Sequence, residues 1–210
     1  HEYGACDNTW EFLGQKRGAS YIHQALDLPL GSTEEIVEQL WQGVTPRTRL
    51  IFLSQIASPT ALILPVRAIC QRARQEGILT LVDGAHAPGQ IAVDLQAIGA
   101  DFYTGNCHKW MLSPKGAAFL YTRPEAQPLI EPLVVSWGYS ADESTTSGSR
   151  YIDLLDWTGT KDPAAALSVP YAIQFMQEHN WGEVGAGCHQ LAVKTRRQLN
   201  ALTGLEALCG

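Results

Sequence analysis

Short apolar runs alternate along this chain with stretches of helical periodicity. Leu50-Ile51-Phe52-Leu53, Ile78–Val82, Asp101–Thr104 and Gly116–Tyr121 are continuous rather than alternating runs, the pattern of strands buried on both faces. Between them, Pro65–Glu76 predicts a helix stopped by Gly77, and Leu95–Ile98 a short one. Ser32 followed by Glu35 predicts a capping box opening a helix over Thr33–Trp41. Asp162-Pro163 opens a further helix, read as running to about Glu178, and from Trp181 a long helix is expected to continue to the end of the chain without a stop signal. Val134-Val135 reads as a strand, residues 140–149 as a Ser/Thr/Gly-rich loop, and His1-Glu2-Tyr3-Gly4 as a loop at a strand end. Strands separated by helices predict an α/β fold with a mainly parallel sheet flanked by helices.

Composition narrows the class. The 210 residues hold 45% hydrophobic and 17% charged side chains, which excludes disordered and fibrous chains. Fifteen basic against 21 acidic residues give a net charge of −6, which argues against nucleic acid or an anionic membrane as partner. No apolar run approaches the roughly 20 residues of a membrane helix. The five cysteines, Cys6, Cys70, Cys107, Cys188 and Cys209, contain no C-x-x-C pair, so neither a zinc knuckle nor a disulfide framework is expected and a cytoplasmic setting is. His23, His179 and His189 share no carboxylate spacing that suggests a metal, and no metal site is expected. The glycine fingerprint of dinucleotide binding and the common hydrolase and zinc-peptidase motifs are absent.

The chemistry concentrates between Asp83 and Lys109. Asp83 stands where a buried strand gives way to Gly84-Ala85-His86-Ala87-Pro88-Gly89. Ligands of open α/β sheets bind outside the carboxyl ends of strands, so Asp83 is either a ligand group or a local cap. Asn106-Cys107-His108-Lys109-Trp110 follows a second strand. An isolated lysine there would be solvated, but a lysine and a carboxylate at neighbouring strand ends meet the needs of pyridoxal phosphate. That cofactor takes a Schiff-base amine and a carboxylate beside its pyridine nitrogen, which the opposite charge keeps protonated.

Those two segments, with Pro114-Lys115-Gly116 and Asp156-Trp157-Thr158-Gly159-Thr160-Lys161-Asp162-Pro163, resemble the class V aminotransferase-fold family of pyridoxal phosphate enzymes, and most of all its isopenicillin N epimerase-like members. Cysteine desulfurases and cystine lyases are relatives within that family. The resemblance implies the large domain of a fold type I transferase, incomplete at both ends, over residues 1–178, with 179–210 beginning the helix into a C-terminal small domain. It implies that Lys109 forms the Schiff base and that Asp83 pairs with the pyridine nitrogen. His86 stands where relatives use Gln at the phenolic oxygen. Asn106 and His108 correspond to phosphate-binding positions. Thr160 resembles a residue that reaches the phosphate from a neighbouring subunit, hence a homodimer. Thr60, in Ser58-Pro59-Thr60, is a polar contact or a plain turn residue. Tyr3, with His1 second, is the candidate to stack on the ring, or else a core tyrosine. Trp137 and Tyr139 are expected near the substrate entrance.

The implied activity is aldimine exchange at Lys109 and proton abstraction at the Cα of an amino acid or amino-acid-derived substrate. The alternatives are C–S cleavage of the desulfurase or cystine lyase kind and a non-catalytic remnant of the fold. The family's early phosphate-binding turn, its substrate-carboxylate arginine and the desulfurase cysteine have no counterpart in these 210 residues. Cys107, beside His108, is not expected to replace that cysteine, because its neighbours face the cofactor.

Overall fold

A computed structural model describes residues 2–140, 142–156 and 158–209. Its centre is a four-stranded sheet of β1 (Leu50–Ser54), β2 (Leu79–Asp83), β3 (Phe102–Asn106) and β4 (Ala118–Thr122), in that order across the sheet. The first three strands are parallel and β4 is antiparallel to β3, so the sheet is mixed but mostly parallel. All four strands occur within two residues of where the apolar runs place them.

The helices in chain order are α1 (Gly4–Arg17), α2 (Thr33–Trp41), α3 (Val66–Gln75), α4 (Leu95–Ile98), α5 (Arg150–Asp156), α6 (Ala164–Leu167), α7 (Val169–Glu178) and α8 (Trp181–Thr203). The α2 capping box is complete: Glu35 N–H donates to Ser32 Oγ at 3.2 Å, and Ser32 N–H to Glu35 Oε2 at 2.7 Å. Val66, Ile69, Cys70 and Ala73 form the buried stripe of α3, which lies on Leu53, Val82 and Tyr103 in the core.

Four local expectations need correction. The first residues lead directly into α1 rather than forming a strand-end loop; of its 14 residues Gly14 is the one that is buried, so no apolar stripe announces it. The helix expected from Asp162 to Glu178 is two helices broken at Ser168, because Pro170 has no N–H to continue a ladder and instead opens α7. The last helix does stop, at Gly204, which takes the left-handed conformation (φ 70°) and donates its N–H to the Asn200 carbonyl. Val134 and Val135 form no strand; they are exposed and run into a 3-10 turn over Trp137–Ser140.

The sheet is fastened at the rim opposite the carboxyl ends of the parallel strands. Asp101, 5% exposed, accepts from Thr80 N–H at 2.8 Å and Thr80 Oγ1 at 3.0 Å. Its other oxygen accepts from Arg123 Nε at 3.1 Å and Nη2 at 2.6 Å. One carboxylate therefore joins β2, the start of β3 and the end of β4. Asp101→Ala should lower unfolding stability by about 3 kcal/mol, the low end for a broken buried pair because the guanidinium keeps part of its hydration. Ser32→Ala, losing one cap, should cost about 1 kcal/mol. Urea unfolding of the two variants checks the ranking.

Candidate functional site

The parallel register sets Ser54, Asp83 and Thr104 side by side at the carboxyl ends of β1, β2 and β3. The backbone holds Asp83 from both sides: Gln55 N–H donates to its carbonyl at 2.8 Å, and Gly84 N–H donates to the Thr104 carbonyl at 2.9 Å. Its carboxylate accepts from Ala85 N–H on Oδ1 at 2.8 Å. Oδ2 faces the Cys6 thiol at 3.8 Å, a weak donor. The local-cap reading of Asp83 thus accounts for one oxygen and leaves the other lightly engaged.

Beneath this turn lies Tyr103, fully buried, its phenol donating to Gln55 Oε1 at 2.5 Å. Burial, and then the charge of Asp83, pushes the phenol above its ordinary range, so it stays a neutral donor. The ring occupies the space a Cβ on residue 84 would need, which is why glycine follows Asp83.

The turn after β2 meets the turn after β3 over Gly89. Its φ is +83°, and a Cβ there would lie 2.5 Å from the Trp110 carbonyl oxygen and 2.8 Å from Met111 N. This close approach brings His86 and Lys109 together, with Nε2 and Nζ 3.2 Å apart. Trp110 Nε1 donates to the other nitrogen, His86 Nδ1, at 3.2 Å. Burial lowers the His86 pKa first and the Lys109 charge lowers it further, while Asp83 opposes both. His86 therefore feels both groups that the Schiff-base reading singles out.

Asn106 ends β3, half-buried, opposite Ala118. His108 is fixed through Nδ1, whose N–H donates to the Ala117 carbonyl at 2.9 Å. Neutral His108 then offers an acceptor at Nε2 and gives a second donor only as the imidazolium. Cys107 is buried, and burial pushes its thiol up, which removes the tempting nucleophile from this loop.

The remaining candidates are placed less closely. Thr60 lies in the turn after β1, and its Oγ1 is buried without a hydrogen-bond partner among the described residues. Tyr3 caps α1 with an exposed side chain; its neighbour Glu2 accepts from Ser54 N–H at 3.2 Å and from Ser54 Oγ at 2.5 Å, so this segment does run along the carboxyl rim. Thr160 is exposed, in the segment between α5 and α6. Trp137 and Tyr139 are exposed, and the Gly138 and Tyr139 carbonyls accept from Arg150 Nη1, which ties them to α5. His1 and Trp157 lie outside the described residues. Among the described residues no group of three or more His, Cys, Asp or Glu could hold a metal ion, and no helix is long and apolar enough to cross a membrane.

Three contacts escape sequence reading. Cys6 to Asp83 and Glu2 to Ser54 join residues 77 and 52 positions apart, and no local pattern signals them. The third, Trp110 to His86, has a readable hint in the position of Trp110 directly after Lys109.

The family of class-V aminotransferases matches residues 1–209 of this chain. The chain belongs to that family. It is 38% identical over 98% of its length to an isopenicillin N epimerase of Amycolatopsis lactamdurans, 54% of which is covered. It is 33% identical over 88% of its length to a putative L-cysteine desulfhydrase of rice, Oryza sativa subsp. japonica, covering 39% of that protein. Among solved structures, the cystine C-S lyase C-DES in complex with its product cysteine persulfide superposes with a TM-score of 0.73 at 24% identity, over 84% of this chain and 48% of the other. The chain spans about half the length of the epimerase, and the likeness in fold is to the corresponding part of the lyase.

Two outcomes follow from the packing. Gly89→Ala should cost about 2 kcal/mol or more, from the left-handed backbone and the collision with Trp110, measured by urea unfolding. Iodoacetamide near pH 8 should label exposed Cys188 well before Cys107 or Cys70, whose thiol burial pushes up to about 11, as read by peptide mass spectrometry.

Proposed function

We propose that this chain carries a pyridoxal phosphate site centred on Lys109, and that the protein acts on an amino acid or amino-acid-derived substrate in the manner of an isopenicillin N epimerase. The observation that carries the reading is the meeting of Lys109 Nζ with His86 at 3.2 Å beside Asp83, at the carboxyl rim of a mostly parallel sheet. The donor set suits the cofactor: an amine, a carboxylate with one lightly engaged oxygen, a neutral imidazole and an orphaned buried hydroxyl on Thr60.

Bound pyridoxal phosphate supplies an electron sink for charge developing at a substrate Cα. Asp83 would hold the pyridine N–H through Oδ2, where a negative charge favours the protonated ring. His86 would donate from Nε2 toward the phenolic oxygen. Asn106 and His108 would bind the phosphate, His108 through Nε2 as the imidazolium while Nδ1 stays on Ala117. Thr60 would add one polar contact and Tyr3 a covering ring. Lys109, once displaced by substrate, would take the proton from Cα and return it. The exposed Thr160 would reach the phosphate of a second copy, which makes the acting unit a homodimer. The free cysteines suit a reducing compartment such as the cytoplasm. The desulfhydrase relative favours a second reading, C–S cleavage after the same proton removal. With Cys107 buried, that reading would release sulfur without a cysteine from this loop.

The purified protein mixed with pyridoxal phosphate should gain a visible absorption band and, after borohydride, a mass increment on the peptide containing Lys109. Lys109→Ala should lose both, and Asp83→Asn should weaken binding by about tenfold or more, the loss of one charge-assisted hydrogen bond. Lys109→Ala protein that kept band and adduct would overturn the assignment.

A further inference from the structure

We infer that Trp110 is a positioning residue that locks His86 as the Nε2–H tautomer, so that His86 presents a donor, never a proton acceptor, to the nitrogen of Lys109. The inference rests on the reading of Lys109 as the amine that attacks a carbonyl.

The indole N–H can only donate. At 3.2 Å it donates to His86 Nδ1, so Nδ1 must carry a lone pair. The single proton of the neutral ring is thereby assigned to Nε2, the atom 3.2 Å from Lys109 Nζ. The same contact disfavours the imidazolium, whose Nδ1–H would point at the indole N–H. Burial acts in the same direction, and Asp83 opposes it. With Nε2 protonated, the contact is a hydrogen bond only where Nζ presents a lone pair, the form that attacks a carbonyl. With the proton on Nδ1, Nε2 would instead accept from an ammonium and hold it. The indole thus selects, through the imidazole, which kind of partner Lys109 meets.

The geometry is maintained from both sides. Trp110 directly follows Lys109, and its own carbonyl is the atom against which Gly89 presses, so the indole and the imidazole ride on two turns in mutual contact. Trp110 is about half exposed, 47%, so its ring contributes little to the core; its position is better explained by the N–H than by packing.

The test is nitrogen-15 NMR on the protein without added cofactor. Nδ1 of His86 should show the shift of a bare, pyridine-type nitrogen and Nε2 that of a protonated one, with a through-hydrogen-bond coupling from the Trp110 indole nitrogen to Nδ1. In Trp110→Phe the coupling should vanish and the ratio of Nε2–H to Nδ1–H forms should fall about fivefold, the size of one net hydrogen bond. A protonated Nδ1 in the unaltered protein overturns the inference even where Trp110→Phe fails to fold, and so does an unchanged ratio in a folded variant. The second arm is the rate at which pyridoxal phosphate attaches at Lys109, followed by absorbance. Trp110→Phe should slow it severalfold in the His86 protein but not further in His86→Gln, whose amide has no tautomer to lose. Equal slowing in both backgrounds would show a merely structural role and overturn the inference. Protein that takes up no cofactor while showing the expected tautomer would refute the proposed function alone.

Discussion

The contact of Gly89 with the backbone of Trp110 and Met111 is the constraint on which the arrangement of the candidate site depends. Asp83 ends β2 and His86 lies in the turn after it, whereas His108, Lys109 and Trp110 lie in the turn after β3. Each turn issues from its own strand, and strand pairing alone aligns only as far as Asp83 with Thr104. Beyond that row the two segments are free to diverge. A residue without a side chain at position 89, in a left-handed conformation, lets one turn seat on the other. The His86–Lys109 and His86–Trp110 hydrogen bonds are consequences of that seat.

The two rims of the sheet do different work. At one, Asp101 gathers Thr80 and Arg123 into a paired cluster, both of its carboxylate oxygens accepting from the fold. At the other, among the described residues, Asp83 keeps an oxygen that meets only a thiol and Thr60 a hydroxyl with no partner, and a lysine amine faces an imidazole. Incompletely paired polar groups are costly inside proteins, and they collect where something else completes them. The contrast between a closed rim and a more open one is what marks the carboxyl rim as the candidate site.

The sheet strands and the α2 and α3 helices were legible because each carries a pattern that sequence expresses locally: a run of apolar residues, a Ser-x-x-Glu box, a stripe at helical spacing. The helix α1 was not, since it buries almost nothing and its contacts, such as Cys6 with Asp83 and Trp10 with Phe52, reach residues far along the chain. The Val134-Val135 segment misled for the opposite reason: β-branched residues suggest a strand, but strand formation needs a partner edge, and none is paired there among the described residues. At the candidate site, Asp83, His86, His108 and Lys109 stood out because they follow strands in short segments, and the fold brings His86 to Lys109. Trp110 was visible but its use was not, because the hydrogen bond crosses 24 positions.

The Tyr103 ring has a further consequence. Wedged under Gly84 and anchored to Gln55, it gives the loop above it a packed floor. A flat aromatic guest arriving there would meet a surface already shaped, and its capture would freeze little additional motion in the protein. Recognition at this rim should accordingly resemble a coin dropping into a slot more than a hand closing around it.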